Sequence, residues 1–413
     1  MKSHIAITLC LILLLAPLSG CFGSKDDNKD SEENNSNDNS TDDSQPPIVD
    51  TIDDSSNNDT TDDSQPPIVD TTDDSSNNDT TNDTSEENTP NPNQITCPDG
   101  TNGTLEWGVI TCAEPEVFRT SDVSNETQNL TMEWYNIAVA EWGNFGPVEI
   151  YIIGSDMDAA KQLEDQYCER HKALDSNWNE EWECANENYQ IFSGYVDEGG
   201  AAISTFKRTH LEYDFNMMIM SAKYPGPEED DYKPVVIHEY FHIFQHSQIS
   251  DECSDGSGDT CERDAKLGGN QKPWFAEGGA EYMAQTLYSK QEGVRDNYLR
   301  EIMQNKLDYS KDSYLNQNIS LDQLTYSSEV NVYAVGAWFT AYLIHNEGID
   351  AYLNGFYGDL DELGFDGSFE KHFNKTKTEY IADFETFLNQ SDEEIMSIIP
   401  ASSNNSEDDS TES

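Results

Sequence analysis

The sequence predicts an α+β fold in which an α/β half precedes a helical half. Two observations support this prediction. Short apolar segments bounded by Gly and Pro are typical of strands and come before residue 230, whereas apolar residues at helical spacing dominate after it. About three hundred residues follow a low-complexity N-terminal tract, enough for one large or two smaller domains.

The first half, residues 96–230, is predicted to form an α/β subdomain. Val148–Ile153, Ala201–Phe206 and Phe215–Ala222 are apolar runs of strand length. Asp156–Lys172 has the pattern of an amphipathic helix. We therefore expect a twisted sheet here, because twist is the general property of strands packed side by side.

The second half, residues 231–400, is predicted to be helical. One helix begins near Tyr232, and a second begins near Pro273, which suits a first helical turn. Arg295–Leu307 and Tyr333–His345 follow, with two or three further helices up to Ile399. Residues 401–413 are polar, and we expect a disordered tail.

Residues 1–20 are predicted to be a lipoprotein signal peptide. An apolar run from Ile5 to Leu15 follows Lys2 and is too short for a usual membrane span. It ends in Leu-Ser-Gly before Cys21, which resembles a prokaryotic lipobox. We expect Cys21 to carry the lipid and to anchor the chain to the outer face of a prokaryotic cell membrane. The alternative is an uncleaved anchor.

Residues 21–95 are predicted to be a disordered acidic tether. The tract consists almost entirely of Asp, Asn, Ser, Thr, Glu and Pro, and a twenty-residue repeat starts at Thr41 and again at Thr61. The two copies differ only by Ile52 and Thr72. Such a segment cannot bury enough apolar surface to offset its conformational entropy.

The chain is strongly acidic, with 81 acidic and 22 basic residues and a formal net charge of −59. This charge argues against nucleic acid as a partner, because phosphate contacts need Lys and Arg. A saline habitat is one hypothesis that explains the charge. Unfolding of the acidic domain in low salt would support it, and equal stability in low and high salt would contradict it.

Six cysteines lie beyond Cys21, and an even number in an exported chain indicates disulfides. Their order along the chain suggests three local loops, although six cysteines allow about 15 pairings. The three suggested pairs are Cys97 with Cys112, Cys168 with Cys184, and Cys253 with Cys261.

The strongest chemical signal is the H-E-x-x-H sequence from His238 to His242, inside an apolar stretch. Residues four apart share one face of a helix, so both imidazoles can reach one zinc ion. Glu239 lies beside them as a candidate general base. The alternatives are a polar patch on a buried helix and a catalytically dead metal site.

A second element, W-F-A-E-G-G-A-E, begins at Trp274 and contains Glu277 and Glu281 on one predicted helix face. Gly278 and Gly279 carry no side chain, so this helix could pack closely on a neighbour. A catalytic zinc ion takes three protein ligands and one water. His238, His242 and Glu277 supply that set.

Together these elements resemble the gluzincin zinc metallopeptidases, which include thermolysin and the aminopeptidase N-like enzymes. The resemblance implies a zincin-like fold with a cleft between the α/β and helical subdomains. It implies one Zn²⁺ ligated by His238, His242 and Glu277, with Glu239 as the base. Glu281 fits the position of a carboxylate that orients a ligand histidine; the alternative is a solvated helix residue.

A further element, Tyr333-Ala-Val-Gly336, resembles the Y-x-x-G of aminopeptidase N-like enzymes. That resemblance implies that Tyr333 hydrogen-bonds the tetrahedral intermediate; the alternative is a core aromatic residue. No G-x-M-E-N element precedes the zinc helix, so aminopeptidase specificity is not implied. The motif-bearing resemblance covers roughly residues 200–390.

Other zinc ligand sets fit the sequence less well. His238 and His246 would lie about 12 Å apart along a straight helix, too far for one ion. The metzincin pattern requires a histidine six residues after His242, where this chain has Gln248.

The predicted function is that of a surface-tethered zinc metallopeptidase that acts on peptide or protein substrates. The strand Phe215–Ala222 is expected to be available for pairing with an extended substrate. The alternatives are a non-catalytic metal-containing surface binding lipoprotein and a zinc hydrolase that acts on a non-peptide substrate, since a fold and a site do not define the bond cleaved.

Overall fold

A computed structural model describes residues 94–100, 102–174, 191–208, 213–222, 231–250, 266–267 and 273–401. The predicted signal peptide, Cys21, nearly all of the predicted tether and the tail beyond residue 401 lie outside the described residues. So do Cys184, Cys253 and Cys261. All described residues belong to one compact unit.

The fold is α+β, as predicted, with a small mixed sheet and many helices. Six strands are present in the described part of the chain: β1 Gln94–Thr96, β2 Asn102–Thr104, β3 Glu116–Arg119, β4 Val148–Ile153, β5 Ala201–Arg208 and β6 Tyr213–Ser221. The strands β1 and β2 pair with each other, and the other four form a sheet in the order β3-β4-β6-β5. In that sheet β5 alone runs antiparallel to its neighbour.

The helices described are α1 Asn125–Trp142, α2 Met157–Leu174, α3 Ser193–Glu198, α4 Tyr232–Ser247, α5 Ala276–Ser289, α6 Tyr298–Asn316, α7 Val332–Glu347, α8 Tyr357–Phe373, α9 Lys377–Leu388 and α10 Asp392–Met396. A 3-10 turn (Leu321–Gln323) precedes α7, and a π-helical turn (Ala351–Phe356) precedes α8. No helix in the described ranges is both long and apolar enough to cross a bilayer.

Strand β4 lies between two apolar clusters and is therefore buried on both faces. Val148, Ile150 and Ile152 face the main core, whereas Tyr151 and Ile153 face a smaller cluster beside α2. This alternation follows from the two-residue period of a strand. The main core continues without a break from α1 and the sheet into the C-terminal helices. The two predicted subdomains therefore share one core.

Helix α1, which packs on α4, was not predicted from the sequence. Its N-cap is Ser124, whose side chain accepts a hydrogen bond from the Thr127 amide. Trp134, Ala138 and Trp142 then recur at four-residue spacing and are buried. This cap and this spacing are the signal that could have identified the helix.

The expectation that Phe215–Ala222 is available to a substrate is wrong. All of these residues except Ala222 belong to β6, which pairs with β4 on one side and β5 on the other. Both rows of its backbone hydrogen bonds are therefore used within the sheet. The edges of this sheet are β3 and β5.

The predicted disulfide between Cys97 and Cys112 is present. Cys168 is also disulfide-bonded, and its suggested partner Cys184 lies outside the described residues. The loop closed by Cys97 and Cys112 docks on the C-terminal end of α4. There the Trp107 indole donates to the Ile249 carbonyl at 2.8 Å. The N-terminal segment thus helps to hold α4 in place.

A buried ion cluster joins β4 to α2. Arg170 donates to both carboxylate oxygens of Glu149, at 3.0 and 2.7 Å, and His171 Nε2 lies 3.1 Å from the same carboxylate. Burial raises the pKa of Glu149, but the contacts with His171 and Arg170 outweigh it and hold the pKa far below its ordinary value of 4.5. The ionised carboxylate is therefore favoured by folding.

We predict that Glu149→Gln lowers the free energy of unfolding by about 2 kcal/mol at neutral pH, because charged hydrogen bonds are lost. Because the folded state depresses the pKa of Glu149, the stabilisation by its ionised carboxylate is complete above pH 4.5. This stabilisation is lost progressively as the pH falls from 4.5 towards the folded-state pKa. Denaturant unfolding across a pH series checks this. The control is Glu116→Gln, since the Glu116 side chain is 65% exposed. If the difference in unfolding free energy between Glu149→Gln and wild type stays constant down to strongly acid pH, the assignment is contradicted.

Candidate metal centre

Three side-chain atoms meet at one buried point between α4 and α5. His238 Nε2 and His242 Nε2 lie 3.1 Å apart, and each lies 3.1 Å from Glu277 Oε2. In a tetrahedral zinc site with bonds of about 2.05 Å, ligand atoms lie about 3.3 Å apart. The observed triangle therefore fits a metal ion of this size. His238, His242 and Glu277 form the one such group found among the described residues.

The helices explain why these side chains converge. The two histidines are one helical turn apart on α4, so they project from the same face. Glu277 lies in the first turn of α5, which packs directly on α4. All three side chains are buried, with no more than 4% of any residue exposed.

The hydrogen bond at the far side of His238 defines its protonation. His238 Nδ1 lies 3.2 Å from Glu281 Oε2. A carboxylate only accepts, so Nδ1 carries a proton. When His238 is neutral, Nε2 is left with a free electron pair directed at the candidate metal site. Glu281 is in turn bound by Lys306 on α6, at 2.6 Å. With its side chain only 13% exposed, Glu281 is not a solvated helix residue.

Glu277 is bound by a residue that the sequence analysis did not identify. The Tyr326 hydroxyl donates to Glu277 Oε1 at 2.6 Å, which leaves Oε2 for the metal. Tyr326 lies between the 3-10 turn and α7, and its ring centroid lies 6.2 Å from that of Tyr333. No sequence pattern links Tyr326 to Glu277.

Glu239 lies next to the metal ligands on α4 and is 1% exposed. Its Oε2 atom is buried and makes no hydrogen bond. Burial raises the pKa of Glu239 to about 7, against the opposing effect of the two histidines. A carboxyl group with a pKa near 7 can take up and release a proton near neutral pH.

The carboxylates around the two histidines favour a positive charge within the ligand group. Burial disfavours a charged His238, but its contacts with Glu277 and Glu281 prevail and raise its pKa to about 10. The pKa of His242 is also raised, through Glu277. The pKa of Glu277 is held low by the two histidines, although burial opposes this. A proton or a metal cation can supply the positive charge.

Tyr333 lies at the start of α7, half-buried, with its ring centroid 6.3 Å from that of His238. The structure thus brings the tyrosine of the Y-x-x-G element beside the candidate metal ligands. His246, by contrast, takes no part in the ligand group, and its ring centroid lies 6.5 Å from that of His242.

The glycines of the two elements meet where α5 crosses α7. A Cβ atom on Gly278 would lie 2.2 Å from the Gly336 backbone, and one on Gly336 would lie 2.3 Å from the Trp274 carbonyl oxygen. The expectation that Gly278 permits close helix packing is therefore confirmed. This close crossing carries Tyr333 on α7 towards Glu277 on α5.

Comparison of the sequence with protein-family models and with curated proteins found no match.

We predict that Gly278→Ala destabilises the protein by about 3 kcal/mol or more, because the new methyl group would collide with backbone that cannot rotate away. Thermal unfolding measures the effect. Gly358→Ala is the matched control, since a Cβ there meets nothing within 4 Å. That change should stabilise α8 by about 0.5 kcal/mol. Equal melting temperatures for the two variants would disprove the close crossing.

Proposed function

We propose that this protein is a surface-tethered zinc metallopeptidase of gluzincin type that hydrolyses peptide bonds. The observation that carries the proposal is the meeting of His238 Nε2, His242 Nε2 and Glu277 Oε2 at 3.1 Å from one another. The buried carboxylate of Glu239 lies beside them. Two imidazoles and one carboxylate are a ligand set of catalytic zinc sites.

The number of ligands favours catalysis over a structural role. A structural zinc ion has all four positions closed by protein, whereas a catalytic one keeps a position for water. Within the described ranges no fourth His, Cys, Asp or Glu joins the group. Zinc bound there would lower the pKa of a water molecule towards 7 and polarise a substrate carbonyl. The non-catalytic binding lipoprotein is therefore the weaker candidate.

Glu239 is the proposed general base. Its Oε2 has no hydrogen bond to break before it accepts a proton from the attacking water. It would then deliver that proton to the leaving amine, which cannot depart as an anion. The Oε2 atom is therefore available for both transfers.

Tyr333 is the proposed donor to the developing oxyanion, because its ring lies beside that of His238. Tyr326, 44% exposed and bonded to Glu277, marks the side of the site that faces solvent. A substrate approaching from this side would meet both tyrosines before it reached the metal ligands.

The proposed zincin-like cleft lies between the sheet and the C-terminal helices. Helix α4 contacts β5, an edge strand of the sheet, on one side and α5 on the other. An extended peptide could add to β5, which lies at an edge of the sheet formed by the described strands.

The test of the base is Glu239→Gln, which keeps the shape and removes the proton acceptor. We predict that it lowers kcat for a quenched-fluorescent peptide by about 10²- to 10⁴-fold. Bound zinc, measured by atomic absorption, should stay at one per chain, whereas His242→Ala should lose it. Cleavage that survives in Glu239→Gln would refute the role of this residue. If neither wild type nor variant cuts although both hold zinc, a non-peptide substrate or the binding lipoprotein becomes the better hypothesis.

The test of the oxyanion donor is Tyr333→Phe. We predict a fall in kcat of about 10²- to 10³-fold with little change in KM, because the hydroxyl acts on the transition state. Tyr342→Phe is the matched control, since Tyr342 lies on the same helix but packs against Tyr380 and Phe387. An unchanged kcat in Tyr333→Phe would make Tyr333 a packing residue.

The proposed anchor is a lipid on Cys21 after removal of residues 1–20. We predict that the chain expressed in a prokaryote incorporates labelled fatty acid and fractionates with membranes, because its lipidated N-terminus partitions into the bilayer. Cys21→Ser should lose the label, whereas Cys10→Ser, within the signal, should keep it. Label that persists in Cys21→Ser would exclude this anchor.

A further inference from the structure

A buried glutamine lies on the zinc-ligand helix where no motif requires one. Gln245 follows His242 by three residues on α4 and is fully buried. Its side-chain amide makes three close contacts: with His242 Nδ1 at 2.7 Å, with the Ala276 carbonyl at 3.0 Å and with the Tyr357 hydroxyl at 2.9 Å.

These contacts define how the amide is oriented. The Ala276 carbonyl can only accept, so the NH₂ group of Gln245 must face it. The amide oxygen then faces His242, and a neutral His242 must donate from Nδ1. The free electron pair of Nε2 is left pointing at His238 and Glu277, where a metal would bind.

The surroundings are shaped to hold this amide. Tyr357 comes from the start of α8, and its hydroxyl lies 3.3 Å from that of Tyr352. A Cβ atom on Gly279 would lie 2.2 Å from the Tyr352 hydroxyl and 3.3 Å from Gln245 Nε2. The second glycine of the α5 element therefore leaves room for this group of side chains.

The two ligand histidines have different supports. His238 donates to Glu281, a carboxylate paired with Lys306. His242 donates to an amide, which is neutral. Glu239, Glu277 and Glu281 already place three carboxylates around the site, so a fourth at position 245 would add unbalanced negative charge in the interior. A glutamine accepts the same proton without that charge.

We propose that Gln245 is a positioning residue of the metal centre, which holds His242 in the Nδ1-protonated tautomer and is itself held by Ala276 and Tyr357. This inference rests on the proposed function in that it takes His242 to be a zinc ligand. It adds a residue that acts through His242 and touches neither metal nor substrate.

The experiment compares Gln245→Met and Gln245→Glu with the wild-type chain. Methionine keeps the volume and removes the acceptor, whereas glutamate keeps an acceptor on Nδ1. Zinc affinity is measured by competition with a chromophoric chelator, and the His242 tautomer by ¹⁵N NMR of histidine-labelled protein, with His242→Ala for assignment. We expect Gln245→Met to lose about ten- to a hundredfold in zinc affinity. We expect Gln245→Glu to retain most of it and to preserve the tautomer.

Wild-type zinc affinity and an unchanged tautomer in Gln245→Met would overturn the proposal, as would equal losses in the two variants. If Gln245→Met does not fold, Tyr357→Phe takes its place. Removal of that hydroxyl loosens the amide, and an unchanged zinc affinity would then overturn the proposal. Neither readout uses a substrate. A wild type that binds zinc but cuts no peptide therefore defeats the metallopeptidase and leaves this inference standing.

Discussion

Two imidazole nitrogens and one carboxylate oxygen face one another in the interior of this protein, 3.1 Å apart. At this distance their electron pairs repel one another unless a proton or a metal cation lies between them. Neighbouring groups nevertheless hold all three in place. Glu281 and Gln245 bind the far nitrogens of the histidines, and Tyr326 binds the far oxygen of Glu277. The residues around α4 and α5 therefore hold these three atoms where a metal ion could bind.

The charges around this point are consistent with a divalent ion. When ionised, Glu239, Glu277 and Glu281 carry three negative charges, and Lys306, paired with Glu281, carries one positive charge. With both histidines neutral, two negative charges are therefore in excess. Buried charge is costly unless it is paired. Lys306 is buried against Glu281, which links α6 to the metal ligands and holds the pKa of Glu281 low, although burial opposes this. A neutral Gln245 leaves this balance unchanged.

Sequence patterns predicted the α+β order, the positions of β4 to β6 and most of the C-terminal helices, because these signals are local. The spacing of apolar residues reports which side of a helix or strand is buried. Helix boundaries were less accurate: α6 was expected over Arg295–Leu307 but runs from Tyr298 to Asn316. The pairing of strands was not predictable from local patterns, since a central and an edge strand can have similar compositions. That is why β6 was wrongly expected to be free.

The sequence by itself determined that His238 and His242 share a helix face, that Glu277 and Glu281 share another, and that Gly278 allows close packing. These are consequences of helical periodicity and of the absence of a side chain. Only the tertiary structure decided that Gly278 meets Gly336, and that Gln245, Lys306 and Tyr326 support the ligands. Gly336, Lys306 and Tyr326 lie on other helices or loops. Gln245 lies on the same helix as the histidines, but its contacts depend on what packs against that helix. Their contacts depend on how the helices cross, which no local pattern records.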